Sequence, residues 1–260
     1  MFAEERRRNI EKYVAERKRV TVDEICQAFS VSPATVRNDL NQLDDEGKLK
    51  RTHGGAIANT KVSFELFTAE KDKMHHGEKE AIAKEAVKLI HEGDSIALDS
   101  GTTVFELAKL LGRFKNLRVV TCDLSIAAWL DMHTQVSLFM IGGEVRKGHH
   151  YTTGYTFREF LPRLNVDLFF MSANGVDVEQ GITTPQVETA MIKELILKGS
   201  RRAVLLSDSS KLGDVTCVKF ADLRDIEELI TDDGCNPEIG SQMQSMGVKM
   251  VIAKVPEADE

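Results

Sequence analysis

The chain has no apolar run approaching the roughly 20 residues of a membrane-spanning helix, which argues against an integral helical membrane protein. Its opening residues, "MFAEERRRNIEKY", are charged from the fourth position and lack the apolar centre of a secretory signal, so the expected location is cytoplasmic. Cysteine is sparse: Cys26, Cys122, Cys217 and Cys235 are far apart and form no C-x-x-C pair. That pattern suits small packing residues in a reducing compartment better than a disulfide framework. Among seven histidines only His75-His76 and His149-His150 are adjacent, and neither pair has a third ligand at helical spacing. No metal and no cofactor are expected, and the His149-His150 pair reads as surface. An overall excess of positive charge is also missing, because the net charge is −7.

The charge is unevenly divided along the 260 residues. Residues 1–60 carry eleven basic against ten acidic side chains, a balance of +1, which leaves −8 for residues 61–260. The acidity therefore belongs to the later part and does not exclude a nucleic-acid partner for the first. With 42% hydrophobic and 29% charged residues, the chain has enough apolar material for a small domain and a medium one.

Helical periodicity begins at once, with Ile10, Tyr13 and Val14 on one face. "TVDE" from Thr21 has the form of a capping box and opens a second helix whose expected apolar face is Ile25, Ala28 and Phe29. After a "SVS" turn, Ser32 suits an N-cap and Pro33 the first helical position. Val36, Leu40 and Leu43 make the buried stripe of that third helix, and Gly47 its stop. Two short helices around a tight turn, within about residues 20–39, make a helix-turn-helix. Its second helix presents Ser32, Ala34, Thr35, Arg37 and Asn38 away from the stripe, at the end that enters the major groove in this motif. Arg37 has the donors for guanine or phosphate, and Asn38 those for an adenine edge. "GKLKRTHGGAIA" then alternates around Gly54-Gly55 as a short hairpin, with Lys48, Lys50, Arg51 and His53 forming a basic wing.

The stretch "VSPATVRNDLNQLDDEGKLKRTHGGA" resembles the winged helix-turn-helix of the DeoR family of bacterial transcription regulators. The resemblance covers about the first quarter of the chain and implies double-stranded operator DNA as partner. The DNA-contacting residues expected are Ser32, Ala34, Thr35, Arg37 and Asn38 on the helix, with Lys50, Arg51, His53 and Gly54 on the wing. The domains expected are 1–58 for DNA binding, 59–77 as a linker without clear period, and 78–260 as a sensor and oligomerisation domain.

From Glu78 the chain reads as a helix with Ile82, Ala86, Val87 and Ile90 inward, ending at Gly93. Strands are expected at 95–99, 117–121, 136–141, 166–172, 202–207, 228–231 and 248–253. Helices are expected at 104–111, 124–131, 157–164, 187–198 and 237–246. This alternation, with apolar strands such as "VDLFFM", predicts a Rossmann-like α/β domain with a mainly parallel sheet covered on both faces. The whole chain is thus α/β, a small winged helix-turn-helix domain joined to that larger domain.

Ligands in such sheets bind beyond the carboxyl ends of the strands. Three loops there carry chemistry. Asp99, Ser100, Gly101, Thr102 and Thr103 lead from a strand into a helix, a place where hydroxyls, backbone N–H groups and the helix dipole favour an anion. "SANG" supplies Asn174 and Gly175, and "SDSSKLG" supplies Asp208, Ser210 and Lys211, a point charge suited to phosphate. The motifs "DSGTT", "GGEVR", "SANGVD", "GITT" and "DSSK" are similar, in order, to the DeoR-family sensor domain, itself similar in fold to ribose-5-phosphate isomerase. The resemblance implies that residues 100–103 hold the phosphate of a phosphorylated sugar or related metabolite, with Lys211 nearby. Asp99, Asn174, Glu188 and Asp208 are then implied to face the sugar. One departure stands out, Thr121-Cys122-Asp123 where many relatives end the second strand with Thr-Asn.

The expected function is a ligand-controlled transcription regulator, a repressor of a carbohydrate-metabolism operon, acting as a homodimer or homotetramer and not as an enzyme. The alternative is an isomerase of sugar phosphates with a DNA-binding appendage, using Asp99, Glu188, Asp208 and Lys211 for proton transfer.

Overall fold

The structure, a computed structural model, describes residues 3–17, 19–46, 48–52, 54–58, 65–154 and 156–256. The chain divides into two compact units, Met1–Phe64 and Glu65–Glu260.

The first unit contains α1 (Ala3–Arg17), β1 (Arg19–Thr21), α2 (Val22–Phe29), α3 (Pro33–Asp45), β2 (Leu49–Thr52) and β3 (Gly55–Ala58). The Thr21 capping box forms: Thr21 N donates to Glu24 at 2.6 Å and Glu24 N donates to Thr21 Oγ1 at 3.2 Å. Ser32 Oγ accepts from Thr35 N at 3.2 Å, and Pro33 opens α3 where its missing N–H costs nothing. Ile10, Val14, Val20, Ile25, Val36, Leu40, Leu43, Leu49 and Ala56 make one core. Ala28 is exposed; the inner face of α2 is Val22, Ile25, Cys26 and Phe29, a stripe rotated from the expected one. Val22, Ile25, Cys26 and Phe29 fall at i, i+3, i+4 and i+7, one continuous helix face, and Ala28 lies off it. A charged clasp adds to this core. Asp39, 3% exposed on α3, takes Arg6 Nε at 2.6 Å and Nη2 at 3.2 Å. Gly47 lies outside the described residues.

The second unit begins with α4 (Thr68–Lys71) and α5 (His76–Ala86), followed by β4 (Ser95–Leu98), α6 (Thr102–Lys109), β5 (Arg118–Thr121), α7 (Leu124–His133) and β6 (Ser137–Met140). Next come the hairpin β7 (Glu144–Arg146) and β8 (Tyr151–Thr153), then α8 (Thr156–Phe160), β9 (Val166–Met171), β10 (Gly175–Asp177), β11 (Gly181–Thr184) and α9 (Val187–Lys198). The chain closes with β12 (Ser200–Leu206), β13 (Val218–Ala221), β14 (Glu228–Asp232), α10 (Pro237–Ser245) and β15 (Lys249–Ala253). Seven strands form one sheet in the order β15-β14-β12-β9-β4-β5-β6, every pairing parallel.

All seven arise from the strands expected of the sequence, with ends shifted by one or two residues. The additional antiparallel sheet β10-β11-β13 and the β7-β8 hairpin were not expected. Side chains alternate across the parallel sheet. Ile96, Leu98, Leu168, Phe170, Val204 and Leu206 pack under α5, α6 and α7. Ala97, Phe169, Met171, Ala203 and Leu205 pack on the other face with α9 and the antiparallel sheet. From β4 the chain steps outward through β5 and β6, then returns beside β4 as β9 and steps outward the other way. The carboxyl ends of β4 and β9 therefore flank a topological switch point, where such sheets open a crevice.

The linker expected over 59–77 does not extend past residue 64. Residues 65–77 belong to the second unit, with α4 and the start of α5 among them. Residues 59–64 lie outside the described residues.

Candidate functional site

In the first unit, Ser32, Ala34, Arg37 and Asn38 are exposed along one side of α3 and Thr35 is half-buried. β2 and β3 pair antiparallel, with Thr52 opposite Gly55, and carry Lys50, Arg51 and Gly54 exposed. Arg51 Nη1 donates to Asn41 on α3, so the wing and helix are tied through one of the candidate DNA contacts. His53 lies outside the described residues. Gly55 sets the wing against β1: a Cβ there would meet Val20 O at 1.9 Å, so a larger residue has no space. Val22 N donates to Gly54 O at 2.9 Å, completing that join.

In the second unit, the ends of β4, β9 and β12 and the segment 65–79 enclose a cavity of about 70 Å³. Of the residues singled out in the sequence, Ser100, Gly101, Thr102, Thr103, Asn174, Asp208 and Lys211 line it. Gly101 has φ +146°, a conformation that favours glycine, and a Cβ would come within 3.1 Å of Ser172 Oγ. It also caps α6 without a side chain, and the first-turn N–H groups of a helix have no carbonyl of their own to bind. Together with the positive end of the helix dipole, this floor attracts an anion.

Asp99, by contrast, is 1% exposed and lies beneath the loop rather than in the lining. Its Oδ1 accepts from Ser100 N at 2.8 Å, and its Oδ2 accepts from Ser172 N at 2.8 Å and from Lys193 Nζ. Lys193 Nζ also donates to Ser172 O at 2.8 Å. This buried pair locks the β4 and β9 loops to each other and to α9. Glu188 is exposed and outside the lining; Thr189 and Lys193, four residues apart on the inner face of α9, take that side of the cavity. Gly175 begins β10 outside the lining, where a Cβ would meet Asp214 O at 2.5 Å. Ser210 also stays outside, donating to Asp208 and accepting from Lys211 Nζ at 3.1 Å.

Several cavity residues escaped the sequence reading: Lys71, Lys79, His149, Tyr151, Thr189 and Lys193. Two had a signal. Lys79 continues the Ile82–Ala83–Ala86 stripe and Lys193 the Thr189–Ala190–Ile196 stripe, so each is a charge on an otherwise inward helix face. His149 is 8% exposed, not a surface residue, and its Nδ1 has no hydrogen-bond partner.

The cavity is cationic. Lys71, Lys79, Lys193 and Lys211 face two lining carboxylates, Glu65 and Asp208. Burial pushes the Lys71 ammonium below its usual range; Glu65 opposes this, and the charges of Lys211 and Lys193 reinforce it. Lys79 is lowered mainly by burial too, with Asp208 opposing and Lys211 reinforcing. For Asp208, burial acts upward, but Lys211, Ser210, His75 and Lys79 outweigh it and hold the carboxyl below its usual value. Crowded ammonium groups with depressed protonation gain from an entering anion. Asp123, the departure noted in the sequence, is not in the lining. Its Oδ1 caps α7, accepting from Ser125 N at 2.8 Å and Ile126 N at 3.0 Å. No cluster of three or more metal-ligating side chains occurs among the described residues.

Residues 6–62 match the model of the DeoR-like helix-turn-helix domain, and residues 74–233 match that of the DeoR C terminal sensor domain. The HTH-type transcriptional regulator GlpR of Haloferax volcanii is 34% identical over 96% of this chain and 98% of its own. The HTH-type transcriptional regulator GolR of Listeria innocua is 33% identical over 98% and 100%. The HTH-type transcriptional repressor GlcR of Bacillus subtilis is 30% identical over the full length of both. Among solved structures, ribose 5-phosphate isomerase A from Methanocaldococcus jannaschii aligns at TM-score 0.40 and 19% identity, over 53% of this chain and 54% of that one, too loosely to bear on chemistry. With both halves matched in order and relatives spanning its length, the chain belongs to the DeoR family of transcriptional regulators.

Proposed function

We propose that this regulator is a repressor of a carbohydrate-metabolism operon, released or recruited by a phosphorylated sugar or related metabolite bound in the second unit. The observation that carries the reading is the cationic cavity at the switch point, floored by Ser100–Thr103 and the start of α6 and walled by four lysines. A dianionic phosphate satisfies the first-turn N–H groups, the Thr102 and Thr103 hydroxyls and the Lys211 charge together. Asn174 and Thr189 then offer hydrogen bonds to hydroxyls of the attached sugar.

Operator DNA is read by α3, with Arg37 and Asn38 toward base edges, while Lys50 and Arg51 of the wing contact phosphates. A homodimer or homotetramer presents paired units to repeated half-sites. The isomerase alternative is less well supported by the site. Asp99 is committed to Lys193 and Ser172 beneath the loop, and Glu188 points away, which removes two of the carboxylates a proton transfer needs.

A thermal-shift panel on the full chain tests the effector, comparing phosphorylated sugars with their unphosphorylated parents. A ligand at a hundred times its dissociation constant adds about 2.7 kcal/mol. The expected result is stabilisation by one phosphorylated compound, none by its parent, and loss of the effect in Lys211→Ala. If neither phosphorylated sugars nor concentrated inorganic phosphate stabilise the protein, the phosphate site is wrong.

A further inference from the structure

Two lysines of the second unit are buried, Lys193 at 2% exposure and Lys79 at 4%. Their surroundings differ. Lys193 Nζ meets the Asp99 carboxylate, and half-buried Lys71 meets Glu65 at 2.9 Å. Lys79 Nζ donates to backbone carbonyls instead, Met74 O at 2.5 Å and Lys71 O. Among the described residues no carboxylate is in ion-pair contact with it. A buried charge is ordinarily paired, because carbonyl dipoles return only part of the cost of taking an ammonium out of water. An ammonium has three N–H donors, and the third has no acceptor among the described residues.

The helix itself does not call for a charge at this place. Lys79 stands on the inward face of α5 with Ile82, Ala83 and Ala86, at i, i+3, i+4 and i+7, where an unbranched apolar side chain would pack equally well. What the position does offer is access to the anion floor. Lys79 lines the cavity together with Thr102, Thr103, Asp208 and Lys211. His76, one turn before Lys79, lies 3.8 Å from Glu106, one turn beyond Thr102 and Thr103, so the start of α5 is set beside the first turns of α6. The charges of Asp208 and Lys211 both reach Lys79 from the loop after β12.

We infer that Lys79 is a phosphate-binding residue of the effector site: its third N–H is taken by a phosphoryl oxygen of a ligand seated on Ser100–Thr103, which supplies the counter-charge the protein withholds. The inference rests on the phosphorylated-effector reading above and adds the buried cation that the ligand pairs. It also gives the ligand a hold on the segment before α5, because the same ammonium keeps its bonds to Lys71 O and Met74 O. Occupancy then ties the turn at 71–74 to the loop after β4. The competing role is purely structural, with Lys79 there only to cap the carbonyls at the end of α4.

Lys79→Met separates the two roles, since it nearly keeps the side chain's length and removes its charge. Thermal unfolding of the full chain is followed in inorganic phosphate and in chloride of matched ionic strength, at mildly alkaline pH where phosphate is mostly dianionic. The wild type is expected to gain Tm in phosphate, and the variant to bind phosphate about tenfold or more weakly. In chloride the variant's Tm is expected to be no lower than the wild type's, because an unpaired buried charge has been removed. An unchanged phosphate response in the variant overturns the role of Lys79 and leaves the phosphate site in place. A variant less stable in chloride, or one that does not fold, assigns the lysine to the turn and also overturns it. No phosphate response in the wild type overturns the site and this inference together. Hydrogen exchange on the wild type gives a reading without substitution: phosphate is expected to slow the Thr102–Val104 amides and, with them, those of residues 72–79. Protection confined to 102–104 means that Lys79 is not engaged and overturns the inference.

Discussion

Asp99 shows how a residue can be found by its loop and still be given the wrong task. The "DSGTT" pattern located the strand end, but which way a carboxylate turns depends on a partner 94 residues later, Lys193. No local spacing encodes that pairing. Lys193→Ala leaves Asp99 buried without its counter-charge, a change that costs about 3–5 kcal/mol. Denaturant unfolding is expected to show a loss of that order, with Asp99→Asn in the same chain recovering part of it. A loss below about 1 kcal/mol would mean the pair is not holding the loops.

Asp123 makes a prediction with the opposite chemistry. Burial, assisted by the charge of Asp99 and opposed by the Ile126 and Ser125 N–H groups, pushes its pKa up to about 6. A carboxyl whose folded value lies above its unfolded value near 4 keeps its proton better in the folded state. Its contribution therefore favours folding near pH 4 and below, and is lost as pH rises through about 6, a penalty of about 3 kcal/mol above that. Asparagine caps a helix as well as aspartate does. Asp123→Asn is expected to be more stable than the wild type by about 1–3 kcal/mol at pH 7.5, with the difference gone near pH 4. A variant less stable at pH 7.5 would show that the ionised carboxylate is needed as cap.

Among the elements, those with long apolar signals were legible and those defined by pairing were not. The five inner parallel strands, β14, β12, β9, β4 and β5, are short runs largely buried on both faces, so composition alone marks most of them; the edge strands β15 and β6 are partly exposed. β7, β8, β10, β11 and β13 are three or four residues long and mixed in polarity, and exist because of partners distant in the chain. The segment 65–79 failed for a related reason. Its order comes from Glu65, Arg146 and Gly148, and no periodicity of its own announces it.

The wing was legible because "GG" has a local cause. Gly55→Ala places a methyl group 1.9 Å from Val20 O, and the strain of about 3 kcal/mol or more must displace β3 from β1. The variant is expected to lose operator affinity while its second unit still responds to ligand in a thermal shift. Undiminished DNA binding would show that the wing's position against β1 does not matter.

On the scale of the whole molecule, charge divides the labour: +1 over residues 1–60 and −8 over the rest. DNA affinity must then come from a few placed cations and fall steeply with salt, since each phosphate contact releases counter-ions. The sequence signalled both units and their order, and the relatives agree along the full length.

The most direct test of a ligand-controlled DNA reader is to select binding sites for the full chain from a pool of random duplexes, then titrate the selected duplex with and without the phosphorylated compound found by thermal shift. The account predicts convergence on a repeated half-site, and a loss of about 1–3 kcal/mol in Arg37→Ala. It also predicts a ligand-dependent change in affinity of about tenfold or more, equivalent to about 1.4 kcal/mol of coupling. A pool that never converges, or a duplex whose affinity is the same with the ligand bound and absent, would contradict it.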